Sequence, residues 1–256
     1  MAETRRNILK AALAGSAALS LSGCRSLSEQ PWAVNILSEV ENLTRRAQRL
    51  FAGSHALARE YSKADIAPVF RPNGTINPST NEYAAHLAAN FAGWRVAVSG
   101  LVERPLSLSL AELRAFPART QITRHDCVEG WSCIGEWTGA PLQLVLAAAK
   151  PGPSARYVVF YCADPMGDPQ DRSTYYYESL DLLEATHPQT LLAYDLNGKP
   201  LPIENGAPVR LRAERQLGYK MAKYVQRLEL VENFNRINGG KGGYWEDQGY
   251  SWYAGI

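Results

Sequence analysis

"TRHDCVEGWSCIGEWTG", residues 123–139, holds two of the chain's four cysteines, one of its four histidines, two of its six tryptophans and three glycines. A buried strand does not normally carry this mixture, so the question is what Cys127 does. Four readings stand side by side. A packed core cysteine is the commonest fate of the residue type. A Cys127–Cys133 disulfide suits an exported protein. A Cys–His nucleophile would pair Cys127 with His125, which a strand places on the same face. The last is a lone thiolate ligand to a soft metal whose remaining ligands come from a cofactor.

Composition narrows the classes around that stretch. The chain has 256 residues, 46% hydrophobic and 20% charged, which is ordinary for a globular protein. A formal charge of +2 gives no electrostatic footprint for nucleic acid. Four cysteines are too few for a disulfide scaffold, and no Cys-x-x-Cys or Cys-x-x-Cys-His signals a zinc ribbon or attached haem.

Upstream, "TRRNILKAALAGSAALSLSGC" (4–24) has a basic start at Arg5 and Arg6 and a short apolar run. The run is too short for a membrane span, and its order resembles a twin-arginine export signal. "LSGC" resembles a lipobox, which would make Cys24 a lipidated first residue at a membrane surface. The expected organisation is therefore 1–23 signal, 24–68 helical arm and 69–256 main domain, in a periplasmic protein. From Pro31 to about Ala67 the apolar residues Val34, Leu37, Val40, Leu43, Ala47 and Leu50 recur at helical spacing. His55 is expected on a helix surface or in a loop.

Further along, residues 70–84 read as a loop and 94–102 as a strand. Ser109 with Glu112 forms a capping box for a helix over 110–116. "TQITRHDC" is a strand, and Pro141 opens a helix. "ARYVVFYCA" is a buried strand, "LDLLEATH" a short helix, and Asn197-Gly198 a hairpin turn. "APVRLRAE" and "MAKYVQRLELV" are the last strands. Strands and short helices without regular alternation predict an α+β domain with mixed or antiparallel sheets.

"HDCVEGWS" with "WTGAPL" resembles the sulfite oxidase-type molybdopterin family, in the branch that contains the catalytic subunits of bacterial periplasmic methionine sulfoxide reductases. "ARYVVFYCAD", "HPQTLLAYDLNGKPLPIENGAPVRL" and "LGYKMAKYVQRLEL" follow in the same order, so the likeness runs from about residue 70 to 232. It implies a sulfite oxidase-type fold and one molybdenum–molybdopterin cofactor, with Cys127 as the protein's only ligand to the metal. It also implies pterin and phosphate contacts from Asn73, Ile76, Asn77, Cys162, Asn205, Arg210, Gly218, Tyr219 and Lys220. Positive charge from the metal, Arg124 or His125 would lower the thiol pKa.

The relatives that oxidise sulfite follow the ligand cysteine with a basic pair; here Val128-Glu129-Gly130-Trp131-Ser132 follows. An acidic neighbour disfavours a dianionic substrate and favours a neutral oxide, a sulfoxide (small or protein-bound) or an N-oxide. Sulfite oxidation is the alternative, and a non-catalytic cofactor-binding lipoprotein a third. Trp131 is a pocket wall or a core residue. Asp126 and Glu129 are proton donors or structural carboxylates, and His187 is structural. With no haem or iron–sulfur motif, electrons come from a membrane haem protein or a soluble cytochrome. The family's C-terminal sandwich domain, which supports dimers, does not follow residue 256, so a monomer is expected. The glycine- and aromatic-rich tail either covers the domain or stays mobile.

Overall fold

The structure is a computed structural model that describes residues 30–51, 53 and 56–256. The export signal, Cys24 and His55 lie outside the described residues. The chain divides into two compact units, residues 1–52 and 53–256. The described part of the first is a single helix, α1 (Pro31–Phe51). It stops well before Ala67. Residues 56–67 run instead along the β3–β4 ribbon of the larger unit, where Tyr61 N–H bonds Ile122 O (2.9 Å) and Ala67 N–H bonds Ile134 O (3.0 Å).

The larger unit is built on two five-stranded sheets. Its elements, in order, are α2 (Asn81–Ala88), β1 (Arg95–Gly100), β2 (Leu106–Ser109), α3 (Leu110–Arg114), β3 (Arg119–Asp126), β4 (Ser132–Pro141) and α4 (Leu142–Ala149). There follow β5 (Tyr157–Pro165), β6 (Tyr175–Asp181), α5 (Leu182–Ala185), β7 (Leu191–Leu196), β8 (Lys199–Pro200), β9 (Arg210–Arg212), β10 (Val225–Val231) and α6 (Tyr244–Asp247). One sheet runs β2-β1-β10-β5-β6, with β1 and β10 parallel and every other pair antiparallel. The other runs β3-β4-β7-β8 with β9 beside β7, all antiparallel. This is the expected α+β arrangement of mixed and antiparallel sheets with short helices.

Local chemistry explains most boundaries. Ser109 and Glu112 exchange both bonds of the capping box, although the helix ends at Arg114. Thr80 caps α2, so the loop read over 70–84 ends four residues early. Pro141 closes β4 and sits at the cap of α4, not inside its first turn. Asn197 and Gly198 both take positive φ, 52° and 72°, as a two-residue primed hairpin turn requires. The large core lies around Trp94, Val96, Leu146, Phe160 and Leu228. A smaller cluster holds Phe70, Cys133, Trp137 and Leu196. Trp137, wholly buried on β4, has Phe70 edge-on at 4.9 Å and the Arg210 and Arg212 guanidiniums over its ring at 5.0 and 4.3 Å.

Candidate functional site

Strand β3 delivers Cys127 to the turn that joins it to β4. Cys127 N–H bonds Trp131 O at 2.9 Å, Gly130 N–H bonds Cys127 O at 3.1 Å, and Gly130 takes φ 83°, a conformation glycine adopts without strain. The thiol is buried at one side of a cavity of about 270 Å³. Asn73 and Thr75 come to it from the loop before α2, Asp164 from β5, and Gly218, Tyr219 and Lys223 from the turn before β10. Trp245 and Tyr250 of the tail form another wall.

Burial raises the Cys127 thiol pKa, and Glu129 adds to the effect, while Arg71 and the Glu129 and Val128 amides oppose it. Arg124 and His125 do not supply the expected activation. Arg124 is paired with Asp126 at 2.9 Å. His125 is wholly buried, and its Nδ1 lies 3.0 Å from the Arg212 guanidinium. A guanidinium only donates, so Nδ1 accepts and the proton sits on Nε2. Burial first, then Arg212, Arg210 and Lys223, hold the His125 pKa well below its ordinary value, which leaves the ring neutral. It is therefore neither a cation beside the thiol nor half of a thiolate–imidazolium pair. Cys127, Cys133 and Cys162 are free thiols, with Cys133 opposite His125 in the hairpin register and its Sγ turned to Val69 O.

The residues implied by resemblance fall into three groups. Asn73, Cys127, Gly218 and Tyr219 line the cavity. Asn205, Arg210 and Cys162 are buried outside its lining: Arg210 donates to Asn205 O at 2.9 Å, and Cys162 belongs to the large core, its thiol pKa raised by burial and by Asp164 and Glu178. Ile76 and Asn77 are exposed and do not line it. The Lys220 ammonium faces no solvent. It lies between Glu178 and Glu246, the latter at 2.5 Å. Asp126 accepts from Ser132 Oγ at 2.5 Å and from Arg124, a structural carboxylate. Glu129 lines the cavity and accepts from Trp131 Nε1 at 2.9 Å. Trp131 tilts over His125 with centroids 5.6 Å apart, outside the cavity lining. His187 is buried, and Gln189 N–H bonds its Nδ1 at 3.2 Å.

Sequence reasoning missed Lys223 and Asp164. Lys223 Nζ donates to three carbonyls, those of Asn73, Thr75 and Glu204. Burial, then Arg210, lower its pKa to about 7. Burial lifts Asp164 to about 6 despite the opposing charge of Lys223. Arg210 is pushed down to about 9, again by burial first and then by Arg212.

These shifts test the fit of an anionic cofactor. Burial is the first cause of the shifts at His125, Arg210 and Lys223, and the positive charge of Arg212, Arg210 and Lys223 adds to it against the opposing charge of Asp164, Glu204 and Glu214. Asn73 Oδ1, Asp164 Oδ1, Asn205 Nδ2 and Arg210 Nε are buried polar atoms without a partner. Buried polar groups are nearly always satisfied, so such a cluster calls for a ligand rich in donors, acceptors and negative charge. A pterin with its phosphate has that character, and the residues fit it. Among the described residues no three His, Cys, Asp or Glu side chains converge on a metal site. A metal held here by protein would hang on one thiolate.

Residues 84–236 match the family described as oxidoreductase molybdopterin binding domain. A putative protein-methionine-sulfoxide reductase subunit, YedZ1, of Azospira oryzae is 43% identical over 164 residues, 64% of this chain and 56% of that protein. The protein-methionine-sulfoxide reductase catalytic subunit MsrP of Xanthomonas campestris pv. campestris is 37% identical over 236 residues, 89% of this chain and 70% of that protein. The match thus spans little more than half the length of the first relative. Among solved structures, the sulfane dehydrogenase SoxCD of Paracoccus pantotrophus superposes with a TM-score of 0.50 at 24% identity, covering 56% of this chain and 39% of that one. That likeness speaks to the fold alone.

Proposed function

The chain belongs to the family of oxidoreductase molybdopterin-binding domains, and from that membership we propose that it is an exported oxidoreductase that reduces a sulfoxide, small or borne on a protein methionine. The observation that carries the reading is a single buried thiol, Cys127, sharing a cavity with the partnerless Oδ1 atoms of Asn73 and Asp164 and with the buried ammonium of Lys223. When bound, a molybdenum–pterin group supplies two-electron oxygen-atom exchange. The thiolate of Cys127 holds its metal. Asn73 and Lys223, with the main chain at Gly218 and Tyr219, line the cavity that would take its pterin and phosphate, and the buried Asn205 and Arg210, with a partnerless Nδ2 and Nε, stand behind that lining.

The residues around the thiol select the substrate. Glu129 places negative charge beside Cys127 and opposes entry of sulfite or another dianion. Trp245, Tyr250, Met166 and Val128 give the cavity apolar walls, which suit a thioether-like group and exclude water. The electrons come from a separate membrane haem protein or soluble cytochrome. Export follows the twin-arginine route, with anchoring through a lipid on Cys24. Both relatives named for protein-methionine-sulfoxide reductase support the sulfoxide as substrate class.

The test is metal and pterin analysis of protein matured in a cofactor-competent host, beside Cys127→Ser. We expect one molybdenum per chain in the first and a metal-poor second, because a hydroxyl is a harder and less acidic ligand. Reduced viologen consumed with methionine sulfoxide supports the substrate assignment. Ferricyanide reduced with sulfite, and no viologen consumption, replaces it with sulfite oxidation. Loaded protein silent in both assays makes the chain a cofactor carrier.

A further inference from the structure

Helix α1 carries an apolar stripe that its own unit leaves in solvent. Ile36, Val40, Leu43 and Leu50 are 54%, 50%, 66% and 78% exposed. With half-buried Ala47 they recur at spacings of four, three, four and three, the a/d spacing of a two-stranded coiled coil, and Trp32, 54% exposed, stands beside the first turn of the seam. The charges beside the seam are Glu39 and Arg46, both exposed and one heptad apart. They stand at the flanking position that sets partner and orientation.

We propose that this seam is the docking surface for the same helix of a second copy, running antiparallel. In that orientation Val40 of one copy meets Leu43 of the other, and Ile36 meets Ala47, so four layers interdigitate about the two-fold axis. Glu39 of each copy then faces Arg46 of the other, and both ion pairs form at once. A parallel pair would instead set Glu39 against position 44, a threonine, and Arg46 against position 51, a phenylalanine, with no ion pair in either place. A lipid surface fits less well. A lipid surface offers Glu39 no partner, whereas a second copy sets it against Arg46. Such a contact is isologous, as a closed dimer requires, and independent of the cavity around Cys127. At 21 residues, about 31 Å of helix, the contact is short, and the dimer depends on concentration.

The experiment is sedimentation equilibrium of the full purified chain over a wide concentration range, with Glu39→Arg, Arg46→Glu, the double exchange, and Val40→Asp/Leu43→Asp. A reversible monomer–dimer equilibrium is expected, weakened about tenfold or more by the paired aspartates. Each single charge reversal sets like charges opposite each other and weakens the dimer; the double exchange restores it. Far-ultraviolet dichroism of the charge variants shows that the helix persists. A chain that stays monomeric at every concentration overturns the proposal, as does a dimer indifferent to charge reversal. Monomer that floats with anionic phospholipid vesicles, and loses this with Val40→Asp/Leu43→Asp, assigns the face to lipid instead.

Discussion

Burial makes Lys223 and Arg210 harder to protonate, and a neighbouring guanidinium adds to it, Arg210 beside Lys223 and Arg212 beside Arg210. Lys223 falls from 10.5 to about 7. Between those values the unfolded chain binds a proton that the folded chain does not, so this group makes stability rise with pH across that window. An anion beside the ammonium restores its pKa and removes the rise. Sulfate is the suitable probe, since it stays dianionic throughout. We expect sulfate to raise the melting temperature of cofactor-free protein more at pH 6 than at pH 8.5, and Lys223→Met to erase the difference. Asp164 acts in the opposite direction but between 3.8 and about 6, below this window. Equal sulfate effects at both pH values in the parent would remove Lys223 from the anion site. At this scale the sequence named Cys127, Asn73, Gly218 and Tyr219, and the structure sets all four around one cavity. It did not name Lys223. Its role comes from Nζ reaching the carbonyl of Asn73, 150 positions away, and no local pattern encodes that meeting.

The elements that sequence reading recovered are those with a chemical signature of their own. Ser109 and Glu112 close their capping box, and Asn197-Gly198 turns the β7–β8 hairpin. Ser109→Ala should lower stability by about 1 kcal/mol, or roughly 2–4 °C in the melting temperature, and leave cofactor content unchanged. Strands β4 and β6 stayed hidden for different reasons. In β4, two glycines and a proline resemble a loop, although Cys133, Gly135, Trp137 and Gly139 alternate inward. In β6 nearly every side chain is buried, so no alternation exists to be read. The turn that carries Gly218 touches β3 closely. An added Cβ there would lie 2.4 Å from His125 Nε2. Arg212 pins that ring, so the turn must move instead. Gly218→Ala should therefore yield folded protein that retains little pterin, which pterin released per chain will check against a melting curve. Full retention would mean that the turn has room the structure does not show.

At the scale of the molecule, the C-terminal segment completes the domain. Its composition had left cover and mobility equally open. In the structure it is cover: Leu217 N–H bonds Ala254 O at 2.9 Å, Trp252 Nε1–H bonds Ser179 Oγ at 2.8 Å, and Tyr177 O–H bonds Asp247 at 2.5 Å. The deepest attachment is Glu246 of α6 on the Lys220 ammonium, which Glu178 also holds. Two carboxylates share one buried ammonium, leaving an excess negative charge. Burial, then the charge of Glu246, hold the Glu178 pKa well above its ordinary 4.5, so Glu178 keeps a proton that the unfolded chain has lost. The sign follows from the proton count: this contribution is fully present below about 4.5 and is lost as pH rises through the folded pKa. Glu246→Gln removes the excess charge and leaves Glu178 and Lys220 as a one-to-one pair, which ionises without that penalty. Melting temperatures at pH 5.5 and 8.5 should then fall less steeply with pH in Glu246→Gln than in the parent. Lys220→Met is the opposite perturbation. It strands two buried acids and should cost about 3–5 kcal/mol, with the greatest loss at high pH. Parallel pH profiles for the parent and Glu246→Gln would show that the segment is not held to the domain through this triad.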